Sequence, residues 1–201
     1  MPIRDWSIES AELIYEGFYS IERLKLRHRK FDGSMSRVFE RERLRRGNVS
    51  AVILHDPERD AVALVEQFRH GAIHQDIGPW LLEVVAGMIE SGEAADAVAR
   101  REALEEAGVT VRDIHRVQHY LASPASTEEE VLIHYATCDL SDAGGCHGLP
   151  EEDEDIRVHV VSADEAIALL DSRRVRNAIS IIALQWFRLW RAGLVTLPSG
   201  S

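Results

Sequence analysis

An apolar run that leads directly into a glutamate-rich helical pattern constrains the fold of this chain more than any other feature. Residues 80–85 are apolar except for one glutamate, which is typical of a buried strand. Residues 93–107 favour a helix, and Gly108 follows at the position where a left-handed residue commonly ends one. A strand, a short loop at residues 86 and 87, and a helix are therefore predicted in succession, as expected for an α/β fold.

The glutamates of this predicted helix gather on one face. At 3.6 residues per turn, Glu102 and Glu106 lie one turn apart, with Glu105 at the margin of the same face. Ala95 and Ala99 precede them on that face. Small side chains there predict room beside the carboxylates for hydrated cations and a diphosphate.

Several carboxylates on one turn repel one another unless something positive neutralises them. Hard oxygen ligands of this kind suit Mg²⁺ or Mn²⁺, so a metal cluster is one interpretation. Arg101 lies four residues before Glu105 and is placed to form an ion pair that would hold the ligand turn. The alternative is a solvated amphipathic helix with ordinary charge pairs, which is more usual for a glutamate-rich helix taken alone.

The rest of the chain predicts a mixed sheet between helices, with a smaller sheet before it. Residues 13–46 alternate apolar and polar positions around Asp32 and Gly33, which predicts a small antiparallel N-terminal sheet. Apolar runs and helical spacings then predict the remaining elements. The predicted strands are residues 49–54, 61–68, 80–85, 116–121, 131–138 and 157–161, and the later helices are residues 163–171 and 177–190.

At 201 residues, the chain is long enough for one full core and a small appendage. We expect an N-terminal sheet domain at residues 1–47, a larger domain at residues 48–195, and a loose tail at residues 196–201.

The acidic composition limits the partners of the chain. Its 34 acidic and 23 basic residues give a formal net charge of -11. Nucleic acid is not an expected partner, because binding to a phosphate backbone needs clustered Lys and Arg. An acidic protein that acts on an anionic small molecule must gather positive charge locally, from bound cations or a few arginines.

A cytoplasmic location is also predicted. Cys138 and Cys146 lack CxxC spacing, so disulfides are not expected. The first residues carry charges without an apolar signal region, and residues 179–190 form too short an apolar stretch to span a bilayer. Neither export nor membrane insertion is expected.

The spacing of the helix residues decides between the metal and the solvated-helix interpretations. Residues 87–109 match G-x5-E-x7-R-E-U-x-E-E-x-G-U, the Nudix box, at every specified position. The matching residues are Gly87, Glu93, Arg101, Glu102, Ala103, Glu105, Glu106, Gly108 and Val109. A chance match in a chain of this length is on the order of one in ten million, given ordinary residue usage. The chain therefore resembles the Nudix family.

The resemblance extends to the bacterial ADP-ribose pyrophosphatase subfamily over nearly the whole chain. It includes GFYS at residues 17–20, ASP at residues 122–124 and EDIRVHVV at residues 154–161. It implies an α/β/α sandwich with a mixed sheet, plus a small N-terminal antiparallel sheet that is exchanged between the subunits of a homodimer. It also implies hydrolysis of ADP-ribose to AMP and ribose 5-phosphate.

Carried over residue by residue, the resemblance implies a metal site and a catalytic set. The metal ligands would be the Ala86 carbonyl, Glu102 and Glu106, with Glu154 as a further ligand, for two or three Mg²⁺ ions or Mn²⁺ in their place. Glu152 would take a proton from the attacking water. Glu105 and Arg101 complete the catalytic set. Taken alone, the acidic run at residues 150–155 is as often a solvated loop.

The resemblance also implies a set of substrate contacts, some of them from the partner subunit. Arginine suits phosphate because its planar fork binds two oxygens at once. One departure concerns Ala125, because relatives usually carry glycine after the Ser-Pro pair. The implied contacts are Phe18, Tyr19, Arg41, Glu42, Arg46, Arg69, Met88, Ser123, Pro124, Ala125 and Glu129.

Two rival functions stay open at this point. The first keeps the chemistry but acts on another nucleoside diphosphate sugar, such as GDP-mannose. The second is a sensing domain that binds ADP-ribose without cleaving it. Such domains typically lose glutamates of the box and carry a DNA-binding extension, and this chain does neither.

Overall fold

The computed structural model of the protein describes residues 5–149 and 153–198. Its contacts divide the chain into two compact units. The N-terminal unit is Met1–Gly47 with Leu121–Glu130, and the main unit is Asn48–Tyr120 with Val131–Ser201.

The N-terminal unit contains the predicted antiparallel sheet. Its strands are β1 (Trp6–Glu16), β2 (Ser20–His28) and β3 (Phe39–Arg45), in the order β1-β2-β3. The sheet starts earlier than residue 13, because the pairing of β1 with β2 extends back to Trp6 opposite His28. At the predicted turn, Gly33 has a φ of 87°, and the Asp32 carboxylate accepts a hydrogen bond from the Ser34 N–H at 2.8 Å.

The main unit is built on an eight-stranded mixed sheet, which confirms the predicted fold class. Strand β4 pairs in parallel with β9 and antiparallel with β5 and β7. The order is β10-β11-β5-β4-β9-β8, with β6 paired to β5 and β7 to β4. The strands are β4 (Asn48–Asp56), β5 (Ala61–Phe68), β6 (Trp80–Glu83), β7 (Val85–Ile89), β8 (Val111–Leu121), β9 (Glu130–Cys138), β10 (Gly145–His147) and β11 (Ile156–Ser162).

Helices α1 (Ala95–Ala107), α2 (Ala163–Asp171) and α3 (Ala178–Arg191) cover the sheet on both faces. Successive side chains of a strand point to opposite faces, and β4 shows the result. Its Val52 and Leu54 belong to the core cluster that contains the buried alanines of α1. Its Ala51 and Ile53 belong to the cluster built with α2 and α3. The helices therefore form two layers around the sheet.

Two boundary predictions around the Nudix box are wrong in detail. The predicted strand at residues 80–85 is divided at Val84, because β6 pairs with β5 whereas β7 pairs with β4. Residues 86 and 87 were expected in a loop, but both lie within β7 and pair with Ala51 and Ser50. Strand β10 was not predicted. Within the described ranges, no helix is long and apolar enough to cross a membrane.

Candidate active site

Strand β7 and helix α1 carry the residues of the box, and the two elements are in close contact at Gly87. A Cβ atom at Gly87 would lie 1.7 Å from Glu102 Oε1 and 2.0 Å from its Cδ. Glycine at this position allows Glu102 its present conformation, because the carboxyl group occupies the space of a side chain. Gly108 serves a different purpose: with a φ of 65°, it ends α1 in the left-handed conformation that the sequence predicted.

Glu106 is the most deeply buried acid of the box, with an exposed fraction of 4%. Its Oε2 accepts a hydrogen bond from the Ala86 N–H at 3.2 Å, and Gln67 Nε2 lies 3.5 Å from its Oε1. Burial, with the nearby charge of Glu102, raises the pKa of Glu106 to about 8. Burial also raises the pKa of Glu102, against the opposing effect of Arg101.

Arg101 neutralises the outer carboxylates of the same turn. Its Nη1 lies 2.8 Å from Glu102 Oε1 and 2.9 Å from Glu105 Oε2, so the predicted ion pair with Glu105 is present. Its Nε lies 3.6 Å from Glu93 Oε1. Three of the four glutamates of the box, Glu93, Glu102 and Glu105, therefore meet around the Arg101 guanidinium.

Ala99, one of the two small residues before these acids, does not leave the predicted space. Ala99 is fully buried in the core cluster with Val52 and Leu54, because this side of α1 packs on the sheet. The Ala95 carbonyl accepts a hydrogen bond from the Ser50 hydroxyl at 2.6 Å. The expectation of an open volume is therefore wrong at Ala99, whereas at Ala95, which is half-buried, it stays a prediction.

Glu154 is brought to the same region, whereas Glu152 lies outside the described residues. The charge of Glu154 contributes to the raised pKa of both Glu102 and Glu106, so the three carboxylates are close enough to interact. The Leu149 N–H donates to Glu154 Oε2 at 3.3 Å.

The donor set suits a hard divalent cation. Three interacting carboxylates, one of them buried, share the region with the backbone of Ala86, and a bound cation would relieve the raised pKa values of Glu102 and Glu106. In residues 5–149 and 153–198, no three acidic, histidine or cysteine side chains form a ready-made metal site. Arg101 engages one oxygen of Glu102, Oε1, at 2.8 Å.

Arg69 follows β5 and forms a pair with a residue that sequence reasoning missed. Its Nε and Nη2 donate to Glu83 Oε2 at 2.9 and 2.8 Å, and its charge opposes part of the rise that burial causes in the pKa of Glu106. Glu83 is only 2% exposed. The one available signal was a lone glutamate inside the apolar run at residues 80–85. Met88, another predicted contact, is exposed on β7.

Four predicted substrate contacts meet in the N-terminal unit. Arg46 Cζ lies 5.3 Å from the centroid of the Tyr19 ring, and Arg46 Nη1 lies 3.4 Å from Glu129 Oε2. Phe18 packs edge-on against Tyr19 at 4.8 Å and stays 83% exposed. Burial raises the pKa of Glu129. An aromatic pair, a cation and a carboxylate are thus assembled on one unit.

The other predicted contacts of this unit lie on exposed backbone. Arg41 stacks over Phe39 at 4.8 Å, and Glu42 is its neighbour on β3. Ser123 begins an exposed turn in which its carbonyl accepts hydrogen bonds from the N–H groups of Ser126 and Thr127, both at 2.9 Å. Pro124 and Ala125 lie at the exposed middle of that turn.

Comparisons with known proteins agree with the geometry of the box. The NUDIX domain model matches residues 44–185. The chain is 46% identical over 190 residues to an ADP-ribose pyrophosphatase of Escherichia coli (strain K12), covering 94% of this chain and 91% of that protein. It is 30% identical over 149 residues to a GDP-mannose pyrophosphatase of Citrobacter koseri, covering 73% of this chain and 76% of that protein. A solved structure described as an ADP compounds hydrolase superposes with a TM-score of 0.71 at 22% identity, covering 96% of this chain and 97% of that chain.

Proposed function

The chain belongs to the Nudix family of hydrolases, and on that premise we propose that it cleaves ADP-ribose to AMP and ribose 5-phosphate. The observation that carries the proposal is the buried Glu106, whose pKa is raised to about 8 beside Glu102 at the junction of β7 and α1. A buried acid in that state needs a positive partner to act as a carboxylate. The substrate follows from the relative of 46% identity, which is named an ADP-ribose pyrophosphatase.

The cluster around α1 supplies the ligands for divalent cations in this proposal. The Ala86 carbonyl, Glu102 and Glu106 would hold two or three ions, Mg²⁺ or Mn²⁺, with Glu154 as a further ligand. When bound, such ions neutralise a diphosphate and favour ionisation of a water molecule. Arg101 and Glu105 hold the ligand turn in place through their 2.9 Å ion pair.

Proton transfer and substrate binding fall to other residues of the chain. Glu152 would accept the proton of the attacking water, while the bond between phosphorus and the bridging oxygen breaks. Arg69, with its side chain 41% exposed beside the cluster, would bind the diphosphate. Met88 would contact the substrate from β7.

The N-terminal unit would recognise the nucleoside and the distal ribose. Phe18 and Tyr19 offer aromatic faces to adenine, and Arg46 Nε is buried without a hydrogen-bond partner within the described residues. Arg46 and Glu129 would therefore bind polar groups of the ligand. Arg41 and Glu42 would act across the subunit boundary, and the turn at Ser123, Pro124 and Ala125 would contact the terminal ribose.

A homodimer with exchanged N-terminal sheets, in the cytoplasm, completes the proposal. Its support is the exposed apolar surface on one face of β1, where Trp6 is 68%, Ile8 45% and Leu13 51% exposed. Patches of this kind on a soluble unit usually mark an interface.

The main alternative substrate is GDP-mannose, which is favoured by the relative of 30% identity. It keeps the same carboxylate cluster and changes only the groups that bind the base and the sugar. The higher identity and coverage of the ADP-ribose pyrophosphatase make ADP-ribose the first choice.

Hydrolysis of ADP-ribose, GDP-mannose, ADP-glucose and NADH, with Mg²⁺ and with EDTA, tests the proposal. We expect Mg²⁺-dependent release of AMP from ADP-ribose in preference to turnover of the other substrates. Faster turnover of another sugar nucleotide would overturn the substrate but keep the chemistry. Tight binding of ADP-ribose without cleavage would instead identify a sensing domain.

The variant Glu106→Gln tests the role of the cluster. We expect at least a hundredfold loss of kcat with the fold retained by circular dichroism, because the neutral amide keeps the bond from Ala86 but cannot serve as an anionic ligand. The matched control is Asp96→Asn, which removes an exposed carboxylate from the same helix. Near wild-type turnover of Glu106→Gln would refute the metal-site proposal.

A further inference from the structure

The pair between Arg69 and Glu83 belongs to a larger network that ties the candidate diphosphate-binding arginine to helix α3. Glu83 ends β6, and its carboxylate has two different partners. Oε2 accepts from Arg69 Nε and Nη2 at 2.9 and 2.8 Å, whereas Oε1 accepts from Asn177 Nδ2 at 2.7 Å. The Glu83 side chain is 3% exposed and the Arg69 side chain 41% exposed.

Asn177 is itself held by the start of α3. It is the N-cap residue, and its Oδ1 accepts a hydrogen bond from the Ser180 N–H at 3.2 Å. The Ser180 hydroxyl accepts in turn from the Val84 N–H at 2.9 Å. Since Asn177 Oδ1 is used by the helix, its amide group can only donate to Glu83. The buried carboxylate is therefore held between the end of β6 and the N-terminus of α3, where the helix dipole also favours a negative charge.

The network leaves Arg69 able to bind an anion in a defined orientation. Glu83 engages Nε and Nη2, and Nη1 takes no part in the pair. A free arginine side chain has several rotatable bonds that must be ordered when it binds a phosphate. Because Glu83 already holds the Arg69 side chain, part of the entropy cost of ordering it is met before the substrate binds.

We propose that Glu83 is a positioning residue for Arg69: its buried carboxylate, clamped by Asn177, orients the guanidinium for the diphosphate of the substrate. This inference rests on the proposed function, in which Arg69 binds the diphosphate. It adds a residue that does not touch the substrate and a link from the site to α3.

The first test is a cycle of variants with Glu83→Gln. The amide that replaces the carboxylate can accept from Arg69 or from Asn177, but its NH₂ group faces a donor on the other side. We expect KM for ADP-ribose to rise about three- to tenfold, the range expected when one long side chain must be ordered on binding. The change in kcat should be smaller than the change in KM.

The background Arg69→Gln separates positioning from general structural damage. If Glu83 acts through Arg69, adding Glu83→Gln to that background leaves kcat/KM and the affinity for α,β-methylene ADP-ribose unchanged within about twofold. Equal losses in both backgrounds would overturn the proposal, because the effect would then not pass through Arg69. No loss from Glu83→Gln alone would overturn it as well.

A compensating double variant keeps the proposal testable if Glu83→Gln alone does not fold. In Glu83→Gln with Asn177→Asp, the new carboxylate can accept from the glutamine NH₂ group and still cap α3, so the network and its charge are restored. We expect recovery of most of the lost affinity. Persistence of the full loss in a folded double variant would contradict the proposed network.

The matched control is Asp56→Asn, which alters a buried carboxylate with an arginine partner elsewhere in the sheet. Asp56 is 2% exposed, and its Oδ2 accepts from Arg59 at 3.0 Å and from the Leu140 N–H at 3.0 Å. This control should lower stability without changing KM. An equal rise of KM in the control would show that Glu83→Gln reports on loss of a buried charge in general.

Binding of inorganic pyrophosphate keeps this inference distinguishable from the proposed function. If the wild-type protein neither cleaves nor binds ADP-ribose, the proposed function fails, and the same variants are then compared by their affinity for pyrophosphate. A loss with Glu83→Gln that vanishes in the Arg69→Gln background would still support positioning. Absence of pyrophosphate binding by the wild type as well would overturn both.

Discussion

At the scale of single residues, Gly87 couples the backbone of β7 to the carboxylate of Glu102. Its requirement for glycine comes from contact and not from a left-handed backbone, since a Cβ would fall 1.7 Å from Glu102 Oε1. The clashing atoms belong to the end of a flexible side chain. A methyl group at this position would therefore displace the carboxylate while leaving the strand in place.

Gly87→Ala should consequently separate activity from folding. We expect kcat/KM to fall by about a hundredfold, since a displacement of about 1 Å in a catalytic group has effects of that size, while the thermal midpoint stays within a few degrees. The control is Gly71→Ala, because a Cβ at Gly71 would meet nothing within 4 Å. Equal activity of Gly87→Ala and the control would show that Glu102 does not need its present position.

At the scale of elements, local sequence was enough to predict where the helices lie, but it did not predict which strands pair with each other. Helix α2 covers the predicted residues 163–171, and Gly108 ends α1 as its residue type indicates. The division at Val84 depends on which neighbour each strand selects, and no periodicity of residues 80–89 contains that information. The role of Glu83 was missed for the same reason, because its partner Asn177 is far away in sequence.

Helix α3 presents aromatic rings to a buried histidine of β4, and this contact predicts a pH dependence of stability. His55 is 3% exposed, with its ring 5.1 Å from Phe187 and its Nδ1 2.8 Å from the Tyr135 hydroxyl. Burial is the largest cause that lowers the pKa of His55 from 6.5, and the charge of Arg191 lowers it further. The charges of Asp60, at 3.5 Å, and of Asp56 oppose this decrease.

Because the folded-state pKa of His55 is depressed, the unfolded chain takes up a proton first as the pH falls below 6.5. The folded state is therefore most stable, as far as His55 is concerned, above pH 6.5, and this stability is lost as the pH falls from 6.5 towards the folded-state pKa of His55. Between pH 7.5 and 5.5, the free energy of unfolding of the wild type should fall relative to that of His55→Gln, with a slope of at most about 1.4 kcal/mol per pH unit. Urea titrations measure this, with His28→Gln as the exposed control. Parallel pH profiles for the wild type and His55→Gln would contradict it.

At the scale of the whole molecule, the two units differ in how they bury apolar side chains. The main unit encloses two core clusters between its sheet and helices. The three-stranded sheet of the N-terminal unit instead leaves apolar side chains of β1 exposed, among them Ile8 at 45% and Leu13 at 51%. An isolated small sheet of this kind gains stability when a further surface covers it.

The proposed homodimer provides that surface and predicts the mass in solution. Light scattering after size exclusion should give twice the chain mass of 22.6 kDa. The double variant Ile8→Glu with Leu13→Glu should shift the protein towards the monomer, because it would place two charges in the covered patch. Leu194→Glu is the control, since Leu194 is 71% exposed but belongs to the main unit. A wild-type protein of single-chain mass would exclude the exchanged dimer. If dissociated β1 variants retained full ADP-ribose turnover, the contribution of the partner subunit through Arg41 and Glu42 would be excluded too.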